Sequence, residues 1–174
     1  ICGGVMDIYI EPIIPTPKVF IFGGGHISLY VSRMSTMVGF QVGVVDDRPQ
    51  FANKERFPEA EEVIAGEIPL ALSKLKVNQA SYLVIVTRGH AYDQEVLEWA
   101  VGTPARYIGM IGSRKKIQTV YSNLVEKGIP REKFNRVHAP IGLDIGAVTP
   151  EEIAVSIVAK MIQVRRGAKK ESKG

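Results

Sequence analysis

The sequence predicts an α/β protein, a Rossmann-like doubly wound and mostly parallel sheet with helices on both faces. Three observations predict it. Short apolar, β-branched runs alternate with amphipathic stretches of helical period along residues 18–166, as strands buried on both faces and their crossover helices require. The first run stops at the glycine-rich turn "GGGH" (23–26). The second ends on an acid, Asp46, 23 residues beyond Gly23, where a nucleotide-binding turn expects a ribose-binding carboxylate.

The elements follow in order. "KVFIF" (18–22) is the first strand and His26–Val38 the first helix, which Gly39 can end. "QVGVVD" (41–46) is the second strand, "EEVIAG" (61–66) a weaker third, and "LALSKL" (70–75) a short helix. "SYLVIVTR" (81–88) is the clearest strand, and the helix "DQEVLEWAV" (93–101) opens on an Asp suited to capping. "ARYIGMIG" (105–112) and "NRVHAP" (135–140) complete the strands. Between them, Ser113–Lys127 puts Ile117, Val120, Tyr121, Leu124 and Val125 on one face before Gly128 and Pro130 stop it. In the last helix Thr149 is the cap, Pro150 takes the first position and Glu152 completes a capping box. Ile153, Ile157, Val158, Met161 and Ile162 form its buried stripe. The spacing predicts strand order 3-2-1-4-5-6.

Residues 18–166 thus read as one domain, 1–17 as a lead-in from a missing upstream domain, and 167–174 as a basic tail. Within the lead-in, "DIYIEPI" (7–13) suggests an edge strand. The chain starts at Ile1 and reads as a piece of something longer.

The net charge is +4 over 174 residues, but residues 1–164 carry 17 cationic and 17 anionic groups. The excess belongs to residues 165–174, which argues against nucleic acid as the main partner. No apolar stretch approaches the roughly 20 residues needed to cross a bilayer, so no membrane partner is expected. Cys2 is the only cysteine, so an internal disulfide is excluded and a cytoplasmic location is the default. Cys2 reads either as a small apolar residue or as a persulfide-carrying relay.

The candidate chemistry lies at predicted carboxyl ends of strands, where open α/β sheets bind ligands. Gly23 permits the tight turn, Gly25 lets an anion approach the backbone, and the helix opening at His26 and Ile27 aims free N–H groups at it. Ser28 takes the small-residue third position. Arg48 is expected to contact the 2′-phosphate of NADP, or else to bridge to Asp47 or Glu55. In "TRGHAYD" (87–93), Arg88 can pair with an anion, Gly89 allows a sharp turn, and Asp93 orients His90 or caps the helix. His26 and His90 are expected to face one site. His138 lies about 14 Å from His26 by strand spacing, which argues against one metal held by all three.

In "GSRKK" (112–116), three cations follow Gly112 and Ser113 at a helix start, where the dipole disfavours them. An anion held by Ser113, the free N–H groups and Arg114 would offset this, or the side chains bend into water. The glycine-rich stretch 138–152 reads as a packed turn, with a lid or ligand loop as the alternative. The absence of a Tyr-x-x-x-Lys pair counts against a simple carbonyl reductase. Two anion sites on one edge suit a ligand with separated phosphates or a large pterin.

The stretches "CGGVMDIYIEP", "FIFGGGHIS", "VVDDRPQFANKERFP", "VIVTRGHAYD", "YIGMIGSRKK" and "HAPIGLDIGAVTPEEIAVSI" together resemble the XdhC/CoxI family, over nearly the whole chain. Members usually read G-A-G-H-[IV] at the turn, so Gly24 and Ser28 depart mildly. The resemblance implies an accessory factor for molybdenum hydroxylases such as xanthine dehydrogenase. Such a factor binds molybdenum cofactor (molybdopterin), promotes its sulfuration with a cysteine desulfurase, and delivers it to the apoenzyme. It implies a maturation factor rather than a classical enzyme, with Gly23–Ile27, the "TRGH" loop and "GSR" as ligand contacts and no catalytic assignment. An NAD(P)-dependent oxidoreductase and a non-catalytic partner-binding module stay open as alternatives, as does a homo-oligomer.

Overall fold

Five residues with no polar side chain after the first, Lys18–Phe22, form the central strand β1. Parallel strands flank it on both sides: β2 (Gln41–Asp46) and β4 (Ser81–Ile85). Strand β3 (Glu62–Ala65) extends the β2 side, and β5 (Tyr107–Met110) and β6 (Val137–His138) extend the β4 side, all in parallel. The order β3-β2-β1-β4-β5-β6 is the predicted one. This computed structural model describes residues 8–9 and 15–167. Cys2 and the tail beyond Gly167 lie outside the described residues. So does most of the suggested edge strand 7–13; its described members, Ile8 and Tyr9, are exposed and in no strand.

Alternation along the strands sends side chains to two cores. Phe20 and Phe22 of β1 pack with Leu83, Ile85, Leu97 and Leu124 on one face. Val19 and Ile21 pack with Val44, Tyr82, Val31 and Ile157 on the other. The first core is covered by α2 (Ile68–Lys74), α3 (His90–Ala100) and α4 (Arg114–Glu126), the second by α1 (His26–Met37) and α5 (Pro150–Arg166). The capping box at Thr149 and Glu152 forms as predicted.

At the amino edge of the sheet, Arg106 donates to the carbonyls of Val164 and Arg165, closing the end of α5. There Pro15, Pro17, Arg106 and Arg166 share the walls of one cavity of about 550 Å³, so the stretch leading into β1 and the end of α5 sit side by side.

One helix start differs from the expectation. Helix α3 begins at His90 with Gly89 as its cap, and Asp93 neither caps it nor turns outward. Asp93 is fully buried. Its Oδ1 accepts from the Thr87 hydroxyl at 2.6 Å and the Thr87 N–H at 3.2 Å, and its Oδ2 forms an ion pair with Lys116. Burial raises this carboxyl above its ordinary value, and Lys116 and Thr87 only partly oppose the rise. Through Thr87 and Lys116, Asp93 ties the loop after β4 and the first turn of α3 to the first turn of α4. The ion pair also answers the helix-start charge puzzle for Lys116, whose counter-charge is Asp93 rather than a ligand.

Breaking a buried pair by removing one partner is costly. Lys116→Met is expected to lower stability in urea by about 3 kcal/mol at neutral pH. A carboxyl with a raised folded value destabilises only once ionised. The deficit should therefore be small below about pH 4 and grow as the pH rises through the folded value. Joint replacement with Asp93→Asn should recover part of it. Unchanged urea midpoints for Lys116→Met at both pH values would refute the burial of the pair.

Candidate functional site

The turn after β1 is shaped by how closely it is approached. Gly23 has φ of +106°, and a Cβ there would lie 2.5 Å from the Val86 carbonyl oxygen. A Cβ on Gly24 would collide with the Phe51 carbonyl oxygen, so the segment pressed against the turn leaves room for glycine there. A Cβ on Gly25 would meet nothing within 4 Å. Ser28 is buried and donates its hydroxyl to the Gly23 carbonyl at 2.5 Å, which locks the turn to the first coil of α1.

Gly25 is the cap residue of α1 and no side chain caps its N–H groups. The same holds for Gly89 at the start of α3. His26 and His90 each take the first position of these helices and are exposed. The two helices lie on opposite faces of the sheet, with their starts following adjacent strands. Beside His26, the Glu151 carboxylate is held below its ordinary range by a hydrogen bond from Tyr30, with a smaller contribution from His26. Tyr30 and Glu151 were not legible as neighbours of the turn; only the packing of α1 on α5 joins them.

Asp46 is buried, and its carboxylate is engaged by its own chain. Oδ2 accepts from the Gly24 N–H at 2.7 Å and Arg48 Nη2 at 3.0 Å. Oδ1 accepts from the Arg48 N–H at 3.0 Å and Nε at 2.9 Å. Burial pushes this carboxyl up, but the hydrogen bonds from Arg48 and Gly24 outweigh it and leave it below its ordinary value. A ribose role for Asp46 therefore requires Arg48 to move. Of the partners expected for Arg48, Asp47 is met only at 3.8 Å; the main partner is Asp46. The Arg48 guanidinium also lies 3.7 Å from the centre of the Phe51 ring.

Arg88 is paired too. Its Nη2 donates to Asp47 Oδ2 at 2.6 Å, and the Tyr92 hydroxyl donates to the same oxygen at 3.1 Å. The space left between Gly23, Asp46, Thr87 and Arg88 is about 10 Å³.

The open part of the edge lies beyond β5. A cavity of about 640 Å³ is walled by Gly112, Ser113 and Arg114 on one side and the Pro140–Ala147 loop on the other. Ser113 caps α4 by accepting from the Lys116 N–H at 3.3 Å, and Arg114 is exposed. The loop is seated on α5: Ser156 donates its hydroxyl to the Leu143 carbonyl at 2.5 Å, and a Cβ on Gly142 (φ +91°) would collide with that hydroxyl. It is a packed turn at residues 141–143 and a cavity wall beyond. Its glycine content hinted at this wall, but nothing local placed it opposite "GSR".

His138 lies outside this cavity's walls and stacks on Tyr107, with ring centres 4.8 Å apart. Among the described residues no group of three or more His, Cys, Asp or Glu side chains is arranged to hold a metal ion, and no helix is long and apolar enough to cross a membrane.

Residues 19–161 match the XdhC Rossmann domain family. The chain is 32% identical over 168 residues to the Escherichia coli K12 protein designated uncharacterized protein YqeB, covering 96% of this chain and 31% of that one. It is 30% identical over 160 residues to a Bacillus subtilis protein named as a probable xanthine dehydrogenase component, covering 92% and 46% respectively. A crystal structure described as a xanthine dehydrogenase from Bacillus halodurans superposes with a TM-score of 0.77 at 34% identity, over 91% of this chain and 45% of that one. The chain spans less than half the length of each of these relatives. With its six parallel strands, glycine-rich turn and "GSR" helix start inside the matched span, the chain belongs to the XdhC family through its Rossmann domain.

Proposed function

We propose that this chain is the cofactor-handling domain of an accessory factor for molybdenum hydroxylases of the xanthine dehydrogenase type. In this reading it binds molybdenum cofactor in the cytoplasm, exposes it to sulfuration by a cysteine desulfurase, and passes it to the apoenzyme. The observation that carries the reading is the pairing, on one sheet edge, of an uncapped glycine-lined helix start with a cavity of about 640 Å³. The names of the two Bacillus relatives support the link to a hydroxylase.

The residues fit the group. Molybdopterin carries a phosphate, which the N–H groups after Gly25 or the Arg114 guanidinium would hold. Ser113 and the Pro140–Ala147 loop would border the pterin. When bound, the cofactor supplies the molybdenum centre that is sulfurated; the chain's residues bind, orient and shield it. An NAD(P)-dependent oxidoreductase is less well supported. The turn suits a dinucleotide, but Asp46 is fully hydrogen-bonded and the space beside it is about 10 Å³.

Titrating the chain with purified molybdopterin, NADH and NADPH tests this. Saturable pterin binding with no dinucleotide turnover is the expected result; turnover of either dinucleotide refutes it. Gly25→Val places its side chain in open space, so the urea midpoint should barely move. Pterin affinity should nonetheless drop at least about tenfold, because the approach of the phosphate is blocked. Arg114→Ala should weaken binding by a similar factor through loss of a charge-assisted bond. His26→Ala should shorten cofactor retention in gel filtration without changing the circular dichroism spectrum. Unchanged affinity in all three proteins would remove the turn and the α4 start from the mechanism.

A further inference from the structure

The crevice outside the carboxyl ends of β1, β2 and β4 is where a doubly wound sheet takes the nucleoside half of a dinucleotide. Here it is closed by three residues from two separate parts of the chain. Asp47 follows β2, Arg88 follows β4, and Tyr92 lies in the first turn of α3. Arg88 Nη2 and the Tyr92 hydroxyl converge on Asp47 Oδ2 at 2.6 and 3.1 Å. The Arg88 guanidinium also lies 5.5 Å from the centre of the Tyr92 ring. About 10 Å³ remains between them and the glycine turn, at or below the space one water molecule needs.

We propose that Asp47 is a specificity-determining residue that acts as a built-in counter-anion. It occupies Arg88 as a ligand phosphate would, and so bars nucleoside phosphates from this half of the edge. The chemistry favours exclusion over simple bracing. Among the residues lining the crevice, Arg88 is the cation, and a planar guanidinium is suited to a phosphate. Asp47 presents it with the same kind of oxygen that a phosphate would. An incoming phosphate would have to displace Asp47, and it would meet the negative charge of that carboxylate on entry. The Arg88 side chain is 48% exposed and that of Asp47 23%, so solvent screens the pair and its loss leaves the fold intact. The inference does not depend on the pterin reading, which uses the other half of the edge.

Isothermal titration of the purified chain with ATP and with NADH, at low salt, tests it. The unsubstituted chain is expected to bind both weakly. Asp47→Ala should bind them at least about tenfold tighter, the range of one charge-assisted contact. Asp47→Asn keeps the shape without the charge and should show a gain of the same sign. Asp47→Ala/Arg88→Ala should fall back to the starting affinity. Urea midpoints establish that each variant is folded. Equal affinity of the unsubstituted chain and both Asp47 variants would overturn the proposal. So would a gain that survives loss of Arg88, because the receptor would then lie elsewhere.

Discussion

The hydrogen bond from the Gly24 N–H to the Asp46 carboxylate, 2.7 Å long, is the constraint on which the ligand edge depends. It joins the end of β2 to the turn after β1. The turn has little freedom to adjust on its own. Gly23 is pressed against the Val86 carbonyl, Gly24 against Phe51, and Ser28 bonds back to Gly23. With three sides fixed, the N–H groups after Gly25 are held outward without a ligand to order them. Such preorganisation is what makes an anion site effective.

The same carboxylate divides the edge into two unlike halves. On the β2 side, Asp46 and Asp47 engage Arg48 and Arg88, and the crevice is full. On the β5 side, Arg114 and the loop seated by Ser156 leave a wide cavity. A doubly wound sheet normally offers both halves to one long ligand. Here only the β5 half is open, with the glycine turn at the boundary.

Much of the fold was legible because its signals are local. The strand order followed from the alternation of runs, and the α5 start from Thr149, Pro150 and Glu152, which lie within one turn of each other. The misreadings share a cause, namely partners remote in sequence. Asp93 looked like a cap because helix starts favour such residues, yet its charge is met by Lys116, more than twenty residues on. Arg88 looked free for an anion because Asp47 comes from another loop. Asp46 stands where a ribose-binding acid is expected, and the spacing alone could not show that its oxygens turn toward Gly24 and Arg48. At the site, the turn and "GSR" were legible as motifs. The facing wall at Pro140–Ala147 was not, since its position depends on Gly142 fitting under Ser156.

Pro15 and Pro17 enter, and Arg165 and Arg166 leave, beside one shared cavity at the amino edge, the whole height of the sheet away from the glycine turn. The consequence is modular. The described chain enters β1 and leaves α5 on the side of the sheet opposite the glycine turn. That placement suits a domain whose relatives run from about two to about three times its length.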